Sequence, residues 1–348
     1  KFIKTFIALP IPTLRLPLLL VLFLAAACGH RPKSMSFYYW RTSFTLDSLE
    51  QRTLRDHSVT SLYIRYFDVD WPPGDTIPAP VAPIRFNSDS ATGGYSVIPV
   101  VFFRNRVFEK TVPAAIPALV AKVEALVRRI NASAHANPQQ IQFDCDWTEK
   151  TKGSYFAFLR EYKRVAAIPI SATIRLHQVK YPDRTGIPPV DHGVLMFYNM
   201  GNIDAGPGSS IYDRSIAHRY TPSLRSYPLT LDLALPIFSW SLLVRDGKVV
   251  QLLDKINAGP FEKDTNFVRS TPRTFTARHA GFLHGYYFQS NDVIKLEFIS
   301  SDDLLGIVSE VNRHTNHRIR NLIFFDLDSQ NLRQYDKHLF TEVLDHTD

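Results

Sequence analysis

The 348-residue chain is 45% hydrophobic and 21% charged, which suits a globular protein of one large α/β barrel or two ordinary domains. Its net charge is +7, but lysine and arginine form no run and no nucleic-acid motif is present, so no nucleic-acid partner is expected. Aromatic residues make up 12%, with 24 Phe and 15 Tyr, which fits either a Phe-rich core or an aromatic-lined groove.

The first predicted element is a leader. Lys1, Lys4 and Arg15 precede an apolar run from Leu16 to Ala27, the pattern of a signal peptide. The run is too short for a comfortable membrane span. Ala25-Ala26-Ala27 directly before Cys28 resembles the lipobox of bacterial lipoproteins. That resemblance implies a cleaved segment 1–27, lipid on Cys28, and a polar tether over 28–35. It also implies a lipid-anchored protein of the bacterial cell envelope, periplasmic or outer-membrane, with an envelope protein as a further partner. An ordinary secretory signal with a chance cysteine is the alternative. Because the first residue is Lys rather than Met, the leader is expected to begin upstream. Cys145 is the other cysteine, so a lipidated Cys28 leaves no disulfide within the chain.

From residue 36 apolar runs alternate with amphipathic stretches. Strands are predicted at 36–44, 61–71, 95–103, 140–147, 168–178, 192–200, 229–240 and 321–329. Helices are predicted at 46–57, 113–132, 152–166 and 301–316, with weaker ones at 209–224 and 330–344. A Pro- and Gly-rich loop is expected over 72–95. Residues 241–299 read as an antiparallel insertion after the seventh strand, because Asp246-Gly247 sits between strand-like flanks. Eight strands interleaved with helices predict an α/β fold: a (β/α)8 TIM barrel over 36–348 with a small antiparallel β insertion. No glycine-rich nucleotide turn follows the first strand, which argues against an open dinucleotide-binding sheet.

Such barrels carry their chemistry at the C-terminal ends of the strands. Those ends here are polar or aromatic: Trp40 and Arg41; Arg65 and Asp70; Asp144 and Asp146; Arg175 and His177; Tyr198 and Asn199; Trp240; Asp326 and Asp328. Along "IQFDCDWT" the side chains alternate, so Gln142, Asp144, Asp146 and Thr148 share the face expected to line the lumen. Ile141, Phe143, Cys145 and Trp147 take the face toward the helices. Buried aspartates need partners, for which Arg175, Arg65 and Tyr198 are candidates. Asp326 and Asp328 equally suit capping of the last helix.

Residues 141–148 resemble the fourth-strand motif D-x-x-D-x-D-x-E of family-18 glycoside hydrolases, the chitinases and endo-N-acetylglucosaminidases. Asp144, Asp146 and Trp147 match, while Ile141 and Thr148 stand at the first aspartate and the acid glutamate. Met196-Phe197-Tyr198-Asn199 resembles the family's M-x-Y-D, with asparagine in place of aspartate. The resemblance implies a catalytic group of Asp144, Asp146, Tyr198 and Asn199. The flanking Trp40, Arg41, Arg65, Asp70, Arg175, His177 and Trp240 become candidates to bind the carbohydrate. No cofactor and no metal is implied. Threonine cannot protonate a leaving oxygen at a useful pKa, and Glu149, one residue along, should face the other way.

Three functions follow, of which the first is favoured. One is a membrane-anchored glycoside hydrolase acting through a carboxylate pair. A second is a degenerate barrel that binds glycan without cleaving it, with Thr148 as the reason. A third, metal-dependent hydrolysis through Asp144, Asp146, His177 and Asp326, lacks any metal-ligand spacing in the sequence.

Overall fold

The computed structural model describes residues 34–74, 77–86, 92–315, 319 and 321–347. Segment 1–27, Cys28 and most of the expected tether lie outside the described residues, and Ser34 and Met35 already belong to the first strand. Among the described residues no helix is long and apolar enough to cross a membrane.

Eight parallel strands close on themselves. They are β1 (Ser34–Tyr39), β2 (Ser61–Asp70), β3 (Ser96–Phe103), β4 (Ile141–Cys145), β5 (Ile170–Arg175), β6 (His192–Met196), β7 (Leu231–Pro236) and β8 (Asn321–Phe325). Each pairs with its neighbours in chain order, and β8 returns to β1 from Ser34↔Asn321 to Phe37↔Phe324. The expected TIM barrel is therefore the observed fold. Its strands are shorter than the alternation suggested. Polarity keeps alternating past Cys145 and Arg175, but the backbone there turns into loop and helix.

The helices form the outer layer. α1 (Ser48–Asp56) starts at Asp47, whose Oδ1 accepts from the Leu49 and Glu50 amides, while Glu50 Oε2 accepts from the Asp47 amide. α2 (Ile116–Ser133) buries Leu119, Val120, Val123 and Val127 on one stripe, as its periodicity predicts. α3 (Lys152–Ala166) ends at Ala167 in a left-handed conformation. Its Phe158 and Tyr162 meet Phe143 of β4 edge-on, with centroids 5.2 and 4.6 Å apart. α4 (Leu176–Lys180), α5 (Arg214–Tyr220), α6 (Ser301–Thr315) and α7 (Leu339–Asp345) follow. Segment 72–95 is not loop throughout: Ala79–Val81 adds an antiparallel strand to the end of β2.

The insertion is a five-stranded antiparallel sheet between β7 and β8, ordered 248–254, 240–245, 293–297, 274–277, 267–271. Its first hairpin turns at Asp246 and Gly247, with φ of 49° and 71°. Leu243, Phe261, Phe275 and Ile294 belong to a core of its own. Trp240, expected at the end of the seventh strand, instead opens this sheet, since the barrel strand stops at Pro236, four residues earlier.

One buried ion pair, within the 293–297 strand, ties the sheet to the loop after β6 through its further hydrogen bonds. Lys295 and Glu297 are 7% and 0% exposed, and Lys295 Nζ lies 2.8 Å from Glu297 Oε1. That contact is an ion pair rather than a directed hydrogen bond. Lys295 Nζ also donates to the Asp204 and Gly208 carbonyls at 3.1 and 2.6 Å. Glu297 Oε2 accepts from the Ser210 amide, the Ser210 hydroxyl and Trp240 Nε1. Residues 204–210 belong to the loop after β6, which closes on itself where the Gly201 amide meets the Ser210 carbonyl at 3.2 Å. A Cβ at Gly201 would lie 2.6 Å from the Ser209 carbonyl oxygen, so the closure requires glycine. Lys295→Met should leave Glu297 buried without a counter-charge and lower stability by about 3–5 kcal/mol in urea denaturation. A loss below about 1 kcal/mol would mean that the pair does not hold the sheet to the loop.

Candidate functional site

The site begins with an anchored tryptophan. Trp147 is buried on the helix side of the β4 exit, stacked on Tyr155 with centroids 5.3 Å apart. Its Nε1 donates to the Thr185 carbonyl at 2.9 Å, and its own carbonyl accepts from Gln178 Nε2 at 3.2 Å. With Trp147 fixed outward, Asp146 and Thr148 on either side stand at the mouth, and both are exposed. The lumen face runs as the alternation predicts. Gln142 is buried and accepts from the Tyr38 hydroxyl at 2.7 Å; Asp144 is buried and accepts from the Thr173 hydroxyl at 2.6 Å.

A cleft of about 430 Å³ opens there, lined by Asp146, Thr148, Arg175, His177, Tyr198 and Asn199, with Trp147, Met196, Met200 and Tyr220 also in its wall. A shallower hollow continues outward past Thr148 and His177 toward Tyr181 and Arg184. Thr148 therefore stands where the two spaces meet. Arg175 Nε donates to Asp146 Oδ1 at 2.6 Å. Asp146 faces solvent while Arg175 is largely covered. Burial works against the Arg175 charge, but Asp146 and Asp144 outweigh it and hold the guanidinium pKa above its usual value.

Asp144 behaves differently. Burial pushes its carboxyl pKa up to about 6, against the pull of Arg175 and with a push from the Asp146 charge. His177 sits in the first turn of α4 rather than on β5, because β5 ends at Arg175. Burial and then the Arg175 charge lower its pKa, which favours neutral imidazole. Tyr198 is buried with its hydroxyl 3.1 Å from Met196 Sδ. Asn199 is exposed, with φ of 54°.

Five other candidates serve elsewhere. Arg41 forks onto both Glu50 oxygens at 2.9 and 2.8 Å and stacks over Tyr39, which fixes the start of α1. Arg65 donates to Asp68 Oδ1 at 2.7 Å and to the Ala82 carbonyl, so Asp144 and Asp146 are not its hydrogen-bond partners. Asp70 is clasped by Arg106 at 2.6 and 2.7 Å and by Arg104 at 3.2 Å. Trp240 lines a separate cavity and donates to Glu297. Trp40 is half-buried among Tyr38, Phe102 and Phe325. Asp328 caps residues 329–332, and Asp326 is buried against Asn331 Nδ2 at 2.6 Å. Glu149 pairs with Arg184 at 3.1 Å and lines the outer hollow, not the inner cleft. Among the described residues no three His, Cys, Asp or Glu side chains converge as a metal-holding group.

Sequence reasoning missed the aromatic set beneath the mouth. Phe325 packs on Trp40 and Tyr198 with centroids 5.3 and 5.4 Å away, and Phe238 closes on both Tyr198 and Phe325. Both lie at the ends of β7 and β8, where an aromatic residue could have been flagged. They read instead as ordinary strand residues. Thr173, two residues before Arg175 on β5, is the donor that holds Asp144.

No protein-family model matches the sequence, nor does any curated protein. Solved structures do match its fold. The spore cortex-lytic enzyme SleL of Bacillus megaterium aligns with a TM-score of 0.56 at 12% identity, over 91% of this chain and 75% of that one. The chitinase RmChi1 of Rhizomucor miehei aligns at 0.51 and 10% identity, over 91% and 100%. The chitinase-like agglutinin RobpsCRA of Robinia pseudoacacia aligns at 0.50 and 11% identity, over 90% and 98%. The chain thus has the barrel architecture of chitinase-like proteins.

The raised Asp144 pKa makes a stability prediction. Its folded value of about 6 exceeds the unfolded value of 3.8, so the native state holds the extra proton between those limits. Stability contributed by neutral Asp144 is then full below the unfolded value of 3.8 and is lost as pH rises through about 6. Asp144→Asn keeps an acceptor for Thr173 and removes the titration. The variant should gain roughly 2–3 kcal/mol on wild type between pH 4 and pH 7.5 in denaturant titrations. A constant difference between the two proteins would show that Asp144 titrates as if exposed.

Proposed function

We propose that the barrel mouth binds a glycan chain and does not hydrolyse it. The observation that carries this reading is that the inner cleft, among the described residues, has a single carboxylate in its wall, Asp146, and that one is paired with Arg175. Thr148 faces the cleft where an acid would be needed, and Glu149 is turned into a pair with Arg184. Asp144 is buried and held by Thr173, outside the cleft wall. Asp146 does line it, and its carboxylate is engaged by Arg175. The remaining groups suit recognition. A carboxylate–guanidinium pair offers charge-assisted hydrogen bonds to hydroxyl or acetamide groups, and Tyr220 gives an aromatic wall on which a sugar ring can pack.

A carboxylate-pair hydrolase is the second reading. Asp144, with its pKa pushed to about 6, beside an Asp146 bound to arginine is the kind of split pair that divides acid and base roles. It requires Asp144 to emerge from behind Thr173. Lipid attachment at Cys28, export to the bacterial envelope and an envelope protein partner are parts of the same proposal and rest on the first 28 residues of the sequence.

The fold neighbours include a cortex-lytic enzyme, a chitinase and an agglutinin, so chitin oligosaccharides and isolated spore cortex are the first probes. Calorimetry on the full chain should give saturable binding of one of them. Asp146→Asn and Arg175→Gln should each weaken it about tenfold, the worth of a charge-assisted hydrogen bond. Equal affinity in wild type and both variants would remove this pair from the ligand site.

A further inference from the structure

A second cavity, of about 460 Å³, lies where the inserted sheet meets the barrel. Its size is in the range of small-molecule sites. Trp240, Phe298 and Tyr335 form its aromatic wall, and Asn257, Ser301 and Gln334 supply polar groups at its edges. The Gln334 side-chain nitrogen is buried and finds no acceptor among the described residues. A buried amide donor without a partner is costly and is normally satisfied. Tyr335 is positioned by its hydroxyl, which donates to the Ile299 carbonyl at 3.1 Å, and Trp240 by its bond to Glu297. Two of the three aromatic rings are therefore fixed by hydrogen bonds at their polar ends.

The chemistry narrows the occupant. Glu297 borders the cavity but is already compensated by Lys295, so a cation gains little there. Asp303 takes up the N-terminal end of α6 through the Ser300 hydroxyl at 2.7 Å, which disfavours an anion. A purely apolar molecule would leave the Gln334 amide unsatisfied. A neutral ring with one apolar face and a hydroxyl or amide edge meets both demands. We infer that this junction cavity is a second saccharide site, taking a single neutral pyranose with an acceptor directed at Gln334. It is separate from the barrel mouth and does not depend on what binds there.

The Trp240 indole resonance reports the junction alone, because Trp240 lines that cavity and is absent from the wall of the mouth. The full chain, labelled with ¹⁵N, is titrated with N-acetylglucosamine, and the Trp240 resonance is assigned from Trp240→Phe. The Trp240 indole N–H should shift saturably. Gln334→Leu should weaken that response about three- to tenfold, the worth of one neutral hydrogen bond. Ala258→Phe, which fills the cavity from its wall, should abolish it while a folded spectrum is kept. Asp146→Asn, at the mouth, should leave the Trp240 response unchanged. A Trp240 resonance that never moves, or that moves equally in Ala258→Phe and Gln334→Leu, would overturn the proposal.

Discussion

The site depends on where one indole goes. A buried Trp147 on the outer face of the β4 exit gains the hydrophobic energy of a large ring, of order 2–3 kcal/mol, and satisfies its N–H on Thr185. Alternation then leaves Asp146 and Thr148 on the opposite face. Gln178, by bonding the Trp147 carbonyl, ties the start of α4 to the same point and so sets His177 beside the cleft. The mouth is thus built from packing on its outside. The polar residues take the places that remain.

That arrangement separates two aspartates that are two residues apart. Asp144 is one layer deeper, where burial opposes its charge and Thr173 is its donor. Asp146 is at the surface, where Arg175 reaches it. The Arg175 charge lies between these environments and acts on both. The pair is therefore not two equivalent acids. It is one carboxyl near its titration point and one fixed in an ion pair, with the cleft in contact only with the second. Hydrolysis needs a donor in reach of the bond, and recognition does not.

Much of this was legible in the sequence because barrel strands alternate strictly. The closed eight-stranded barrel, the α3 boundaries, the insertion after the seventh strand, the outward Trp147 and the inward Asp144 all follow from period-two and helical patterning. Ion-pair partners did not follow. Arg41, Arg65 and Asp70 look like mouth residues by position, yet each has a partner within reach, Glu50, Asp68 and Arg106, that a strand-end rule cannot see. Trp240 is misplaced by pattern alone because one apolar run spans both the end of β7 and the start of the inserted sheet. The Lys295–Glu297 link to the loop after β6 spans about ninety residues in sequence, and no local pattern announces it.

The central claim is that the mouth holds a glycan without an unpaired carboxyl group in reach for cleavage. Its most direct test is mass spectrometry of a chitin oligosaccharide shown to bind, incubated for days with the full-length wild type and with Asp146→Asn. The account predicts an unchanged oligosaccharide in both samples. Shorter products from wild type that are missing with Asp146→Asn would contradict it and establish the carboxylate pair as catalytic.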